Sequence, residues 1–177
     1  MKTFLTCFLF IFSFLFFETA ILTNIVFLPV IPDLLLLFTV YVSIHRGGLI
    51  GETSGFFSGL FLDVLSASPL GLNALLRTII GFIGGLFFLT LNTNGFFVPV
   101  FLGVSATLIK AFFQQVISFF FPNIVYTYDF LNINIWLECL INGLLAPVLF
   151  FLFSKFRSLA EDPAEAIKSS TRKMNRV

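Results

Sequence analysis

Residues 96–121 read FFVPVFLGVSATLIKAFFQQVISFFF, an unbroken apolar run whose one formal charge is Lys110. At 1.5 Å rise per residue, a helix of this length covers roughly 39 Å, more than the ~30 Å hydrocarbon layer of a bilayer. Similar runs lie on either side, at about Phe4 to Leu28, Leu34 to Ile44, Leu49 to Leu65, Gly71 to Leu91 and Ile135 to Phe153. Hydrophobic residues fill 58% of the 177 positions and charged residues 11%, against about 25% charged in a soluble domain. That is too little polar material to clothe a core in water, so lipid is the expected solvent. The expected fold class is all-α: a polytopic integral membrane bundle of about six transmembrane helices over residues 1–154. Residues 155–177 then form a basic cytoplasmic tail.

The breaks between runs carry their own chemistry. Pro29 and Pro32 interrupt the first, because proline disfavours helical continuation. Asp33 is a good N-cap for the second, which is short for a span. Such a segment tilts little, thins the bilayer locally or is buried among its neighbours. His45-Arg46-Gly47-Gly48, Ser66-Ala67-Ser68-Pro69 and Asn92-Thr93-Asn94-Gly95 read as turns, and Pro122-Asn123 ends the fifth run. Lys2 precedes an apolar stretch as in a secretory signal, but no small-x-small cleavage site follows, so an uncleaved first span is expected.

Basic residues set the expected topology. Six spans from a cytoplasmic N-terminus place Lys2, Arg46 and the basic tail residues inside, and leave the outer turns without Lys or Arg. Tyr126, Tyr128 and Trp136 then fit an aromatic belt at the outer face. Lys155-Phe156-Arg157 suits anchoring to anionic lipid. Asp162-Pro163-Ala164-Glu165 reads as the start of a short tail helix, with a solvated, frayed tail as the alternative.

Gly47, Gly51, Gly55 and Gly59 are spaced four apart and share one slowly drifting helix face. Bare glycines let backbones approach, so the face serves either packing inside the bundle or a seam with a partner. Ionisable groups inside spans cost roughly 2.5–3.5 kcal/mol each to insert and therefore need partners. Depth matching pairs Arg77 with Asp63 across a hairpin, with Glu138 competing, and pairs Glu18 with Lys110. Asn73, Asn142, Gln114 and Gln115 can join them. Such pairs either fix helix register or line a polar cavity for a substrate or proton.

Much chemistry is excluded. Net charge is +1, which gives no ground for nucleic-acid binding. Cys7 and Cys139 read as inert small hydrophobes and His45 as a water-exposed loop residue, so no metal and no cofactor are expected. Glu52 and Asp63 are three turns apart, roughly 16 Å, too far to share a proton or a metal. GxSxG, P-loop, HExxH and CxxC motifs are all missing, so the chain does not read as an enzyme.

The middle of the chain has a recognisable pattern. Pro32-Asp33-Leu34-Leu35 opens the short span and His45-Arg46 closes it. Gly55-Phe56-Phe57-Ser58-Gly59-Leu60-Phe61-Leu62-Asp63-Val64-Leu65-Ser66-Ala67-Ser68-Pro69-Leu70-Gly71-Leu72-Asn73 follows. This resembles the bacterial rod-shape-determining MreD family, as does Asn142-Gly143-Leu144-Leu145-Ala146-Pro147 before Lys155-Phe156-Arg157. The matched segments cover about Pro32 to Arg77 and Asn142 to Arg157. The resemblance implies a non-enzymatic component of the cell-wall elongation complex in the bacterial inner membrane. It implies MreC as partner, alongside the actin-like MreB and the wall synthases. The family is similar in fold to the substrate-binding subunits of energy-coupling-factor transporters, so a vitamin-binding subunit is the alternative. Against that alternative, the first span has a single alanine, Ala20, where those subunits usually present an Ala-x-x-x-Ala face.

Overall fold

A computed structural model describes residues 2–21, 30–66, 68–88, 90–91, 93, 95–122, 124–125 and 132–156. Six α-helices occur among them and no strand: α1 Lys2–Phe16, α2 Leu34–Arg46, α3 Gly48–Leu65, α4 Leu72–Leu86, α5 Phe97–Phe120 and α6 Ile133–Ser154. The Tyr126–Tyr128 part of the expected aromatic belt and the expected tail helix lie outside the described residues.

Helix α2 is the axis of the molecule. Its residues Leu34 to Ile44 are all buried, although the helix is only 13 residues long. A helix apolar all round must be enclosed on every side, and α1, α3, α4, α5 and α6 all pack on it. Of the ways to accommodate a short apolar segment, the fold uses burial among neighbours. On one flank Phe10, Phe14, Phe38 and Phe153 form an aromatic cluster joining α1, α2 and α6, with Phe38 and Phe153 edge to face at 5.4 Å. Edge-to-face rings add about 0.5–1.5 kcal/mol beyond their buried area.

Two expected boundaries move. The first helix does not run straight through its apolar stretch: α1 passes into a π-helical turn at Phe17–Ile21. There the Thr19 hydroxyl donates to the Leu15 carbonyl at 2.7 Å, a back-bond that disturbs the regular ladder. Helix α4 stops at Leu86 rather than near Leu91, just past Gly84 and Gly85. Each glycine costs about 1 kcal/mol relative to alanine in a helix, so the pair is a weak place to continue.

The polarity of the molecule is inverted relative to a soluble protein. Its surface carries Phe97 (85% exposed), Phe119 (81%), Phe101 and Phe120, while Asp33, Arg77, Glu138 and Asn142 are buried. An apolar surface of this extent is a mark of membrane or partner contact. Helices α5 and α6 are long and apolar enough to cross a membrane, whereas α2 and α4 are shorter apolar helices.

Helices α3 and α4 form an antiparallel pair at backbone contact. A methyl group on Gly55 would lie 2.5 Å from the Arg77 carbonyl oxygen, and one on Gly81 would lie 2.6 Å from the Gly51 carbonyl oxygen. Gly59 meets the Asn73–Ala74 peptide. Gly51 and Gly55 also face α2, at Ser43 and Thr39. The faces of Gly51, Gly55 and Gly59 are thus filled from within the chain. Gly47 differs: it sits in the α2–α3 turn with φ +86, a left-handed conformation that glycine tolerates and other residues rarely adopt.

Candidate functional site

The buried charge converges on Asp33. The residue sits just before α2, and its Oδ1 accepts from the Leu36 N–H at 2.9 Å, closing the helix N-terminus. The same Oδ1 receives the Arg77 Nη2 of α4 at 2.6 Å, and Oδ2 receives the Lys110 Nζ of α5 at 2.8 Å. Lys110 also donates to Glu138 Oε1 of α6 at 3.0 Å. The backbone N–H of Asp33 donates to Asn142 Oδ1 at 3.0 Å, and Asn142 Nδ2 donates to Thr107 Oγ1 at 3.0 Å. One aspartate thereby joins α2 to α4, α5 and α6.

The local sequence explains the convergence. Gly103, Thr107 and Lys110 follow one face of α5, and Glu138, Asn142 and Ala146 follow one face of α6. Gly103 lies against the backbone of Asn142 and the methyl of Ala146, so the two polar rows come within hydrogen-bonding reach. Arg77 is 1% exposed and Asn142 0%. In so dry a site each charge-assisted bond is strong, and each stranded charge would be costly. The Arg77 atoms Nε and Nη1 are buried without a hydrogen-bond partner among the described residues.

Glu18 reaches this region from the π-helical turn. Its Oε2 accepts a long bond, 3.5 Å, from the Leu35 N–H in the first turn of α2, where a carboxylate is favoured by the helix dipole. The acid is 8% exposed.

The expected pairing of Arg77 with Asp63 is replaced by Arg77 with Asp33. Helix α2 packs against both α3 and α4, and its N-terminus offers Arg77 the carboxylate of Asp33. Asp63 has a different setting. Its Oδ1 accepts from the Asn73 N–H at 3.1 Å, the Asn73 Nδ2 at 2.9 Å and the Ser68 hydroxyl at 3.0 Å. Its Oδ2 accepts from the N–H groups of Gly71 at 3.0 Å and Ala74 at 3.1 Å. Gly71, the residue capping α4, has φ +92 and no side chain to cap with. Asp63 therefore caps α4 from the end of α3. This accounts physically for the Asp63, Ser68, Gly71 and Asn73 spacing.

Asp63→Ala leaves those N–H groups of the first turn of α4 uncapped. We expect a loss of about 2–3 kcal/mol, the scale of one charged hydrogen-bonding group with its capping role. Thermal unfolding in detergent measures it, and Asp63→Asn should recover part of the loss.

His45 is not in an exposed loop. It lies in the last turn of α2, half-buried and stacked on Tyr41 at 4.0 Å. Its Nδ1 is 2.9 Å from the Tyr41 carbonyl oxygen and its Nε2 is 2.9 Å from Thr93 Oγ1. Cys7 and Cys139 are buried free thiols.

Comparison with known proteins bears on this arrangement. The family model described as rod shape-determining protein MreD matches residues 1–156. The chain belongs to the MreD family. That assigns it to rod-shape determination, in a family of shape-determining membrane proteins rather than a known enzyme family. Nothing matches among curated proteins or solved structures. In this MreD-family chain, the Asp33 hub and the Asp63 cap both lie within the matched span. Sequence reasoning took Asp33 only as a helix cap. It gave Arg77 to Asp63 and Lys110 to Glu18, whereas the structure shows Lys110 on Asp33 and Glu138.

Proposed function

We propose that this chain is a non-enzymatic scaffold in the cytoplasmic membrane, crossing it six times with both termini inside, and that it acts by assembling with MreC in the wall-elongation complex. The observation carrying this reading is the engagement of Asp33 with Arg77 and Lys110 inside the bundle. Charges placed in lipid at such cost serve here to fix four helices against one another. The positive-inside distribution of Lys and Arg supports the topology.

The partner face is assigned to the turn between α3 and α4. Asp63 ties that turn to α4 by hydrogen bonds, and beside it Val64 and Leu65 at the end of α3 and Leu70 in the turn are exposed by 65%, 60% and 77%. Rigid exposed apolar groups suit docking, because little ordering entropy remains to be lost. Co-purification of MreC with the full chain from native membranes tests this. Leu70→Asp is expected to lower MreC recovery to background while the protein itself stays at normal abundance. Undiminished recovery would reject this face. A stoichiometric vitamin in the purified protein would instead support the transporter-subunit reading.

A further inference from the structure

The charges gathered at the N-terminus of α2 do not cancel. Three acids meet there, Glu18, Asp33 and Glu138, all buried. Two bases answer them, Arg77 and Lys110. Fully ionised, the cluster would hold one net negative charge inside the bundle. Among the described residues no other base is near. Lys2, Arg46 and Lys155 lie at the far ends of α1, α2 and α6, roughly 20–25 Å away along their helices. Residues 22–29, which follow the π-helical turn, contain no ionisable side chain. Asp63 of α3 already has its donors in the first turn of α4, and counting it would only deepen the excess. A buried acid escapes the cost of an uncompensated charge by keeping its proton.

The contacts single out which acid that is. Asp33 takes both bases and caps α2 at 2.9 Å. Glu138 takes Lys110 at 3.0 Å. Glu18 forms no ion pair among the described residues, and its contact with the Leu35 N–H is long, 3.5 Å. The positive end of α2 is already met by Asp33, whose charge also acts on Glu18. Arg77 keeps Nε and Nη1 unpartnered among the described residues, donors to which an ionised Glu18 would be drawn. The side chain rests instead on one weak N–H, which is adequate for a neutral acid.

We infer that Glu18 is the proton-binding site of this cluster: at neutral pH its carboxyl group holds one proton, which leaves Asp33 and Glu138 balanced by Arg77 and Lys110. The proton sits where the end of the first helix meets the central one. Its release would charge that contact and loosen the π-helical turn from α2. The site depends on the buried cluster and not on assembly with MreC.

Infrared spectroscopy of the full chain in phosphatidylcholine nanodiscs at neutral pH tests this. The carbonyl band of a protonated carboxylic acid is expected. Glutamate labelled with carbon-13 at the side-chain carboxyl should shift it, and aspartate labelled in the same way should not. The band should vanish in Glu18→Gln. That variant, whose amide matches the neutral acid in size and charge, should unfold at the parent's temperature, whereas Asp33→Asn, at a position that needs its charge, should unfold earlier. A folded parent without the band, a band that moves with labelled aspartate, or a band that survives in Glu18→Gln would overturn the site. So would a Glu18→Gln chain that unfolds as early as Asp33→Asn. Loss of MreC recovery from the unmodified chain would reject the scaffold and leave the proton site standing.

Discussion

Asp33→Ala is expected to remove the folded protein from the membrane almost entirely. The substitution leaves Arg77, 1% exposed, and Lys110 without the carboxylate they share, and it uncaps α2. Breaking a buried ion pair by removing one partner costs about 3–5 kcal/mol, and a lost N-cap adds about 1 kcal/mol. Set against a typical total stability of about 5–15 kcal/mol, this is a large share. Abundance measured after membrane extraction should fall sharply, and cells relying on the variant should lose their rod shape. Asp33→Asn keeps the cap and loses the charge, so it should be intermediate. If Asp33→Ala accumulated normally and melted like the parent, the hub would not be holding the helices.

Gly59→Leu is expected to have an effect of similar size by a different route. The new Cβ would enter the space of the Asn73 and Ala74 backbone atoms, at the point where Asp63 caps α4. Overpacking costs about 1–3 kcal/mol where side chains can yield; here the opposing atoms are backbone and the cost should exceed that range. Separating α3 from α4 would also pull Asp63 from its donors. Gly55→Leu should behave likewise, because its Cβ meets the Arg77 carbonyl. Gly95→Ala is the matched control, since nothing lies within 4 Å of the added carbon. Thermal unfolding in detergent separates the three.

The helical elements were legible because long apolar runs, prolines and turn clusters are local signals. Asp33 as an N-cap and the glycine face of α3 were legible for the same reason. The partners of Arg77 were not. Depth matching treats neighbouring spans as a hairpin and has no means of knowing that α2, a later neighbour in space than in sequence, occupies the centre. Asp63 drew Arg77 on paper because its demand for backbone donors depends on the fold of the α3–α4 turn, with Gly71 in a left-handed conformation. The π-helical turn under Glu18 likewise depends on how α1 meets α2, which no run of Phe residues encodes. His45 was misplaced because its contacts to Tyr41 and Thr93 combine one local and one long-range neighbour.

The most direct measurement is a double-mutant cycle between Asp33 and Arg77, read as thermal stability of the full chain in detergent. With the ion pair of the structure in place, Arg77→Met should partly rescue Asp33→Ala, because the double variant no longer buries the stranded guanidinium, and the coupling should reach about 1–3 kcal/mol. Losses that simply add would contradict a carboxylate at residue 33 holding α4 to α2.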